Sequence, residues 1–260
     1  MVVGVTPLSN DALPPDPARP SDPARPPAPA SPGPLQTATA PMTPQQYGVG
    51  ARFTLSVYDS DYVAIILGAL GEADATDLLV ETGDISTFVA GGEQRVLAYL
   101  RDVIAAAARS GAHLSASILL SRGCPGELQC ALPAGVAALG ADPVSLAGTG
   151  VRARAHWSLY PLLDGGTGRG CGARHGGGSA GGGGPADAPA DHMAPIYAAI
   201  EQARSAGVYS GSDHYATRLD GDLAAVLQTA ANAWIGVGES VQHVVTHLTV
   251  SINSPSPLRD

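Results

Sequence analysis

Residues 87–122, TFVAGGEQRVLAYLRDVIAAAARSGAHLSASILLSR, and residues 217–252, TRLDGDLAAVLQTAANAWIGVGESVQHVVTHLTVSI, decide the fold because the second stretch repeats the first. In the first stretch Val96, Leu97, Leu100 and Ile104 have helical spacing, and alternating apolar and polar residues follow, as in a strand. At a constant offset of 130 residues the matching pairs are Thr87/Thr217, Gly91/Gly221, Val96/Val226, Leu97/Leu227, His113/His243, Ser121/Ser251 and Pro125/Pro255.

The repeat extends toward the N-terminus at a shorter offset. Ala51, Phe53, Thr54 and Leu55 match Ala155, Trp157, Ser158 and Leu159 at an offset of 104 residues. The difference from 130, which is 26 residues, is close to the length of a glycine-rich segment inside the second copy. Each copy has the order strand, helix, strand, strand, helix, strand, which is typical of a ferredoxin-like βαββαβ unit. We therefore predict an α+β fold with two tandem ferredoxin-like repeats and antiparallel sheets.

The periodicity also predicts the individual elements. In the first copy we expect helices at 61–72 and 93–109 and strands at 51–58, 78–82, 85–90 and 113–121. In the second copy we expect helices at 193–205 and 222–238 and strands at 153–160, 208–212, 214–219 and 243–252.

Composition divides the chain into four parts. Residues 1–44 contain 13 of the 22 prolines, so we predict a disordered tail over residues 1–48. The first repeat is expected at 49–126, a linker rich in alanine, glycine and proline at 127–150, and the second repeat at 151–257. A flexible insertion is predicted at 163–190, because residues 164–184 contain 12 glycines in 21 positions.

Charge excludes several classes of function. The chain has 14 basic residues, all of them arginine, against 23 acidic residues, for a formal charge of −9. Without lysine it has neither a P-loop lysine nor a Schiff-base lysine. The acidic balance argues against a nucleic-acid partner and suits a cationic small ligand.

Targeting and cysteine patterns predict a cytoplasmic protein. No apolar run reaches the roughly 18 residues of a membrane span, and the N-terminus lacks a basic region followed by an apolar core. Cys124, Cys130 and Cys171 are too few for a disulfide framework, so we expect free thiols.

Motifs for metal binding or catalysis are not found. His243 and His247 fall on a predicted strand, where a spacing of four residues separates them by about 13 Å, too far to share one ion. No HExxH or GxSxG motif is present, so we predict neither a metal site nor catalytic residues. One face of each last strand is rich in hydroxyl groups, which indicates either a binding surface or simply a solvated sheet face.

Six short motifs resemble those of the YkoF family of thiamin/hydroxymethylpyrimidine-binding proteins. They are Arg52–Leu55, Asp84–Thr87, Gly123–Gly126, Trp157–Pro161, His214–Thr217 with Leu219–Asp222, and Asn253–Ser256. The resemblance implies tandem ferredoxin-like, ACT-like repeats and a homodimer without catalytic activity. It also implies that each repeat holds one molecule of thiamin or hydroxymethylpyrimidine, for thiamin salvage or transport, and that no further cofactor is needed.

The resemblance also implies the ligand-binding residues. For the first repeat they are Thr54, Thr82, Asp84, Ser86, Thr87, Ser117 and Ser121. For the second they are Ser158, Tyr160, His214, Tyr215, Thr217, Ser251 and Asn253. The first repeat departs from the family pattern: it has Thr-Gly-Asp-Ile at 82–85 where Thr-Asp-His-Ile is typical, and a shift of one residue on a strand reverses the face.

Two other functions remain open at this point. An ACT-like regulatory module would sense an amino acid and control a partner, and an enzyme of thiamin salvage would turn the vitamin over. A homodimer is expected in either of the binding roles, since ferredoxin-like units commonly associate through sheets or edge strands.

Overall fold

A computed structural model of the chain describes residues 42–124, 139–162 and 193–257. The first half contains α1 (Pro44–Tyr47), β1 (Gly50–Val57), α2 (Tyr62–Glu72), β2 (Leu79–Thr82), β3 (Thr87–Ala90), α3 (Glu93–Ala108) and β4 (Leu114–Arg122). The second half contains β5 (Arg152–Leu162), α4 (Ala194–Ser205), β6 (Tyr209–Asp213), β7 (Ala216–Asp222), α5 (Leu223–Gly238) and β8 (His243–Ile252). The prediction of every strand and helix of the two copies is confirmed, with ends that shift by a few residues. None of these helices is long and apolar enough to cross a membrane.

The eight strands form one antiparallel sheet in the order β2-β3-β1-β4-β8-β5-β7-β6. From the middle of the sheet outward, the strands of the first half follow in the order β4, β1, β3, β2. Those of the second half follow in the equivalent order β8, β5, β7, β6. The halves join where β4 pairs with β8, from Leu114 opposite Ile252 to Arg122 opposite Val244. The predicted α+β class with an antiparallel sheet is therefore confirmed, and both halves contribute to a single sheet.

One face of the sheet forms the core. Ile118, Leu248 and Trp157 lie side by side on β4, β8 and β5, and all three are buried. The indole Nε1–H of Trp157 donates to Thr246 Oγ1 at 2.7 Å, so its one polar atom keeps a partner in the interior. Alternate residues of the same strands point to the opposite face and are half-buried or exposed, as the alternation in the sequence predicts.

The C-terminal end of the predicted tail is ordered. Residues 42–48, assigned to a disordered tail, contain helix α1, whose Tyr47 is only 1% exposed. Thr43 and Gln46 form a capping box, and Pro44 suits the first turn because its fixed φ is already helical. Proline at this position therefore starts a helix instead of preventing one. Residues 1–41 and the predicted insertion at 163–190 lie outside the described residues.

The last part of the linker packs against α5. The amide of Asn232 accepts from the Val144 N–H at 2.7 Å and donates to the Val144 carbonyl at 3.1 Å. Gln228 Oε1 accepts from the Leu146 N–H at 2.8 Å. Because these amides replace the hydrogen bonds of a neighbouring strand, an irregular segment can bury Val144 against the core.

Cys124 does not have the free thiol that we expected. It is disulfide-bonded, so that prediction is wrong for this residue. Cys130 and Cys171 lie outside the described residues. The three cysteines of the chain follow no framework spacing, so their pattern carried no signal for this bond.

Asp222 is predicted to stabilise the junction between linker and α5. It caps α5 by accepting from the Ala224 N–H at 2.8 Å, and it accepts from Gly150 at 2.7 Å. We expect Asp222→Ala to lower the free energy of unfolding by about 1–2 kcal/mol, as for other lost caps. Urea unfolding at neutral pH measures this, with the exposed Asp142→Ala as control.

The same carboxylate gives a pH dependence. Burial raises the pKa of the Asp222 carboxyl, but hydrogen bonds from Thr149, Ala224 and Gly150 outweigh it and leave the pKa below its usual range. A lowered folded-state pKa stabilises the fold above the unfolded pKa, near 4, and the gain is lost as pH falls through the folded pKa. The difference between the natural chain and Asp222→Asn should therefore shrink in acid, and a difference that grows in acid would contradict this.

Candidate functional site

Two clefts occupy equivalent positions in the two halves. The first, of about 250 Å³, lies between β1, α2 and the turn that joins β2 to β3. The second, of about 420 Å³, lies between β5, α4 and the turn that joins β6 to β7. The first cleft is smaller than the pockets that usually hold drug-sized ligands, and the second is at the small end of their range, so each has room for a small molecule.

Strand pairing explains why both clefts form. β1 pairs with β3 only as far as Phe53, but with β4 as far as Val57. In the second half, β5 pairs with β7 as far as Trp157 and with β8 as far as Leu162. Beyond Phe53 the β2–β3 hairpin therefore separates from β1, and α2 covers the gap. Beyond Trp157 the β6–β7 hairpin separates from β5 in the same way, and α4 covers that gap.

A hydroxyl-to-carbonyl hydrogen bond closes each gap in the same way. Thr54 Oγ1 donates to the Ile85 carbonyl at 3.1 Å in the first half. Ser158 Oγ donates to the Tyr215 carbonyl at 3.0 Å in the second. The two donors are equivalent at the offset of 104 residues and the two acceptors at the offset of 130. The repeat therefore preserves both the cleft and the bond that fixes its hairpin.

Hydroxyl groups line the first cleft on one side. Thr82 Oγ1 and Thr87 Oγ1 lie 3.1 Å apart, and Ser86 Oγ accepts from Arg52 Nη1 at 3.0 Å. Asp84 is exposed at the mouth, and no ion pair involves it within the described part of the chain. The opposite wall is apolar and comes from α2, through Tyr62, Val63, Ile66, Leu67 and Leu70.

The second cleft contains an ionised carboxylate at its mouth. Asp213 Oδ1 accepts from the His214 backbone N–H at 2.8 Å, and Oδ2 lies 3.4 Å from His156 Nε2 and 3.9 Å from Arg218 Nη1. The His214 amide lowers the pKa of the Asp213 carboxyl, burial opposes this, and the charges of His156 and Arg218 lower the pKa further. Asp213 is thus a negative group held in place by its surroundings.

Tyr215 stands at the tip of the second hairpin in an unusual conformation. It is 100% exposed and has a φ of 63°, in the left-handed region that an aromatic residue rarely occupies. Its equivalent in the first half, Ile85, is 78% exposed and has no positive φ. Neither burial nor backbone preference explains a tyrosine at this position.

The structure brings most of the expected site residues to the clefts. Those that line the first cleft are Thr54, Thr82, Asp84, Ser86 and Thr87. Those that line the second are Ser158, Tyr160, Tyr215 and Thr217. His214 belongs to the second hairpin but does not line the cleft.

The remaining four expected residues lie elsewhere. Ser117 and Ser121 are hydrogen-bonded to His247 and His243 of β8, at 3.1 and 3.4 Å. Ser251 lies 3.2 Å from His113 Nε2, and the Asn253 amide donates to the carbonyls of Ala108 and Ala112, each at 3.1 Å. These residues therefore belong to the junction of the halves and not to either cleft.

Sequence reasoning missed the apolar walls and one carboxylate. Val63, Ile66 and Leu67 have helical spacing in a helix that exposes much of its apolar surface, a pattern that indicates a ligand or interaction surface. Asp213 lies one residue before the His214–Thr217 motif, so no motif pointed to it. In the second half the equivalent wall is formed by Ile196, Ala199 and Ile200.

Comparison with known proteins places both halves in one family. A family model described as the YKOF-related family matches residues 48–127 and 187–257, which together are more than half of the chain. The chain is also 26% identical over 209 residues to the Bacillus subtilis (strain 168) protein named "Putative HMP/thiamine-binding protein YkoF", covering 80% of this chain and 91% of the relative. The chain therefore belongs to the YkoF-related family.

Proposed function

We propose that this chain binds thiamin or its hydroxymethylpyrimidine moiety without catalysing a reaction, with one molecule in each cleft, in thiamin salvage or transport. The observation that carries the proposal is the pair of equivalent clefts, each closed by the same hydroxyl-to-carbonyl bond. Support comes from the B. subtilis relative, whose name gives thiamin and its pyrimidine as its ligands.

The cleft chemistry suits an aminopyrimidine. Such a ring presents an exocyclic amine donor beside a ring-nitrogen acceptor, and a hydroxyl group can serve either partner. Thr87 and Thr217 supply nearly buried hydroxyls at equivalent positions. The helix wall covers one face of the ring, and in the second cleft Tyr215 offers an aromatic ring for the other.

The carboxylates at the clefts suit the thiazolium ring of thiamin. The thiazolium ring is a permanent cation, and both clefts place an acidic side chain at the mouth, Asp84 in the first and Asp213 in the second. Such groups attract a cation without contacting the pyrimidine. We propose that thiamin enters with its pyrimidine toward the threonine and its thiazolium toward the carboxylate.

The proposed assembly is a homodimer of chains, each with two ferredoxin-like, ACT-like units. The element order and strand order of each half support this assignment. Leu119 and Leu162 are exposed on the sheet face opposite the core, which supports association through that face. Sedimentation equilibrium of the full chain tests the dimer.

We propose a cytoplasmic location, as the sequence predicts. The disulfide of Cys124 is more typical of an oxidising compartment. Blocking free thiols in intact cells before extraction decides the matter: a reduced Cys124 supports the cytoplasm, and an oxidised Cys124 contradicts it.

Calorimetric titration of the full chain tests ligand binding. We expect saturable binding of thiamin and of hydroxymethylpyrimidine at about two molecules per chain. Pyrithiamine, which keeps the aminopyrimidine, should bind similarly, and oxythiamin, which replaces the amine by an oxygen, should bind much more weakly because the polar partners of the amine are left unpaired.

Other results would redirect the assignment. A stoichiometry near one would indicate that the departures in the first repeat have removed its site. The absence of heat and of thermal shift with every vitamer would contradict the proposal and favour an ACT-like module that senses an amino acid. Turnover of thiamin by the purified chain would instead identify a salvage enzyme.

A further inference from the structure

A third cavity lies apart from both clefts, where β5 begins and β8 ends. Its volume is about 460 Å³, and no residue that lines it lines either cleft. Its walls are polar and include two arginines, three serines and an asparagine: Arg152, Arg154, Ser251, Asn253, Ser254 and Ser256.

Arg154 supplies a positive charge that no carboxylate neutralises within the described segments. It lies between Ser251 of β8 and Asp220 of β7 in the sheet register. Asp220 is bound by Arg152, whose Nε and Nη2 donate to the two carboxylate oxygens at 2.8 and 2.9 Å. Among the residues that the structure describes, Arg154 donates only to the carbonyls of Ser256 and Pro257, at 3.4 and 3.5 Å, the long limit of a hydrogen bond.

A second described carboxylate near the cavity, that of Asp222, is also occupied. Asp222 contacts Gly150, which lines the cavity, but its oxygens accept from the amides of Gly150, Thr149 and Ala224. Its charge therefore faces the N-terminus of α5, which favours a negative group. Because Asp220 is paired and Asp222 is capped, the guanidinium of Arg154 has no carboxylate partner among the described residues.

Serine hydroxyls line the same cavity. Ser254 Oγ accepts from the Ser256 N–H at 3.2 Å, which leaves its own O–H free to donate into the cavity. Asn253 has a φ of 54° and anchors this turn through its bonds to Ala108 and Ala112, so the serines are held in place. A guanidinium fork with hydroxyl donors matches the geometry of a tetrahedral oxyanion.

We propose that this cavity binds a phosphate group, either as inorganic phosphate or as part of a phosphate monoester. The inference does not depend on vitamin binding in the clefts. It gives Ser251 and Asn253, which lie outside the second cleft, a place in a different site. An anion site is unexpected in a chain of charge −9, and it exists here because the local carboxylates are already paired.

Titration of the full chain with inorganic phosphate tests the site, by calorimetry and by phosphorus NMR. We expect Arg154→Gln to weaken binding by about tenfold or more, since a charge-assisted hydrogen bond is lost. The matched control is Arg109→Gln, which removes the same charge from an exposed arginine paired with Glu72 and should leave phosphate affinity unchanged. Ser254→Ala should weaken binding by a smaller factor without removing charge.

Parallel titrations separate the possible sources of the phosphate and the two proposals. The chain could be saturated by hydroxymethylpyrimidine phosphate but not by inorganic phosphate. If Arg154→Gln then abolished that binding, the occupant would be the phosphate group of a larger ligand. Thiamin binding should be unchanged in Arg154→Gln, so failure of the clefts and failure of this cavity are distinguishable. No saturable binding of either phosphate at millimolar concentration, or equal weakening by the two arginine variants, would overturn the proposal.

Discussion

Replacement of Arg122 by methionine is expected to lower the free energy of unfolding by about 3–5 kcal/mol. The Arg122 side chain is 0% exposed, and its Nε lies 3.2 Å from Oε1 of Glu93, which is itself only 8% exposed. Methionine would leave the Glu93 carboxylate buried without a counter-charge. That loss exceeds what the surface ion pairs of this chain contribute, because water screens an exposed pair and not a buried one.

The effect should be large because Arg122 joins both halves of the chain. It lies at the end of β4, its Nη1 donates to the Ile235 carbonyl of α5 at 3.3 Å, and its Nη2 donates to the Leu139 carbonyl of the linker. Gly238 of α5 makes room for it, since a Cβ there would lie 2.9 Å from Nη1. The ring of Tyr47 lies against the guanidinium, with the centroid 5.6 Å away.

Urea unfolding of two further variants separates the charge from the packing. The double variant Arg122→Met with Glu93→Leu should recover much of the loss, because an apolar pair leaves no buried charge. Arg109→Met, at an ion pair whose side chains are 58% and 62% exposed, should cost less than about 1 kcal/mol. If the double variant is no more stable than Arg122→Met, the carbonyl bonds and not the ion pair carry the stability.

The repeated elements were predictable because each depends on local periodicity. Alternation on β4 and β8 fixed which residues face the core, and the same parity holds in the structure. Features that rest on one strand are therefore readable from the sequence.

The grouping of site residues was less predictable because it depends on strand order. Ser117 lies opposite Thr54 on the neighbouring strand, yet its hydroxyl bonds to His247 of the other half. The alternation of side chains along a strand places both Ser117 and Thr54 on the same face of the sheet. It does not reveal that β4 and β8 pair at the junction of the halves. The packed linker was missed for a similar reason, since Asn232 lies 88 residues from the Val144 backbone that it holds.

Tyr215→Gly is expected to weaken thiamin binding at the second cleft and to leave the fold at least as stable. Base–aromatic stacking contributes about 1–3 kcal/mol, so removal of the ring should lower affinity there by roughly 5- to 150-fold. Glycine accepts the φ of 63° without strain, so the free energy of unfolding should stay the same or rise by up to about 1 kcal/mol. Calorimetry and urea unfolding of the same preparation measure the two effects.

The opposite signs of the two effects separate a binding role from a structural one. Replacement of a residue retained for stability would lower both the affinity and the free energy of unfolding. Replacement of a strained residue retained for its ring lowers the affinity alone. Tyr215→Phe should keep most of the affinity, because it retains the ring, and Tyr197→Ala should change nothing, because that exposed tyrosine of α4 does not line the cleft. With two sites per chain, Tyr215→Gly should leave one tight site, the first cleft. An unchanged titration would mean that Tyr215 does not contact the ligand, and loss of affinity in Tyr215→Phe would transfer the role from the ring to the hydroxyl.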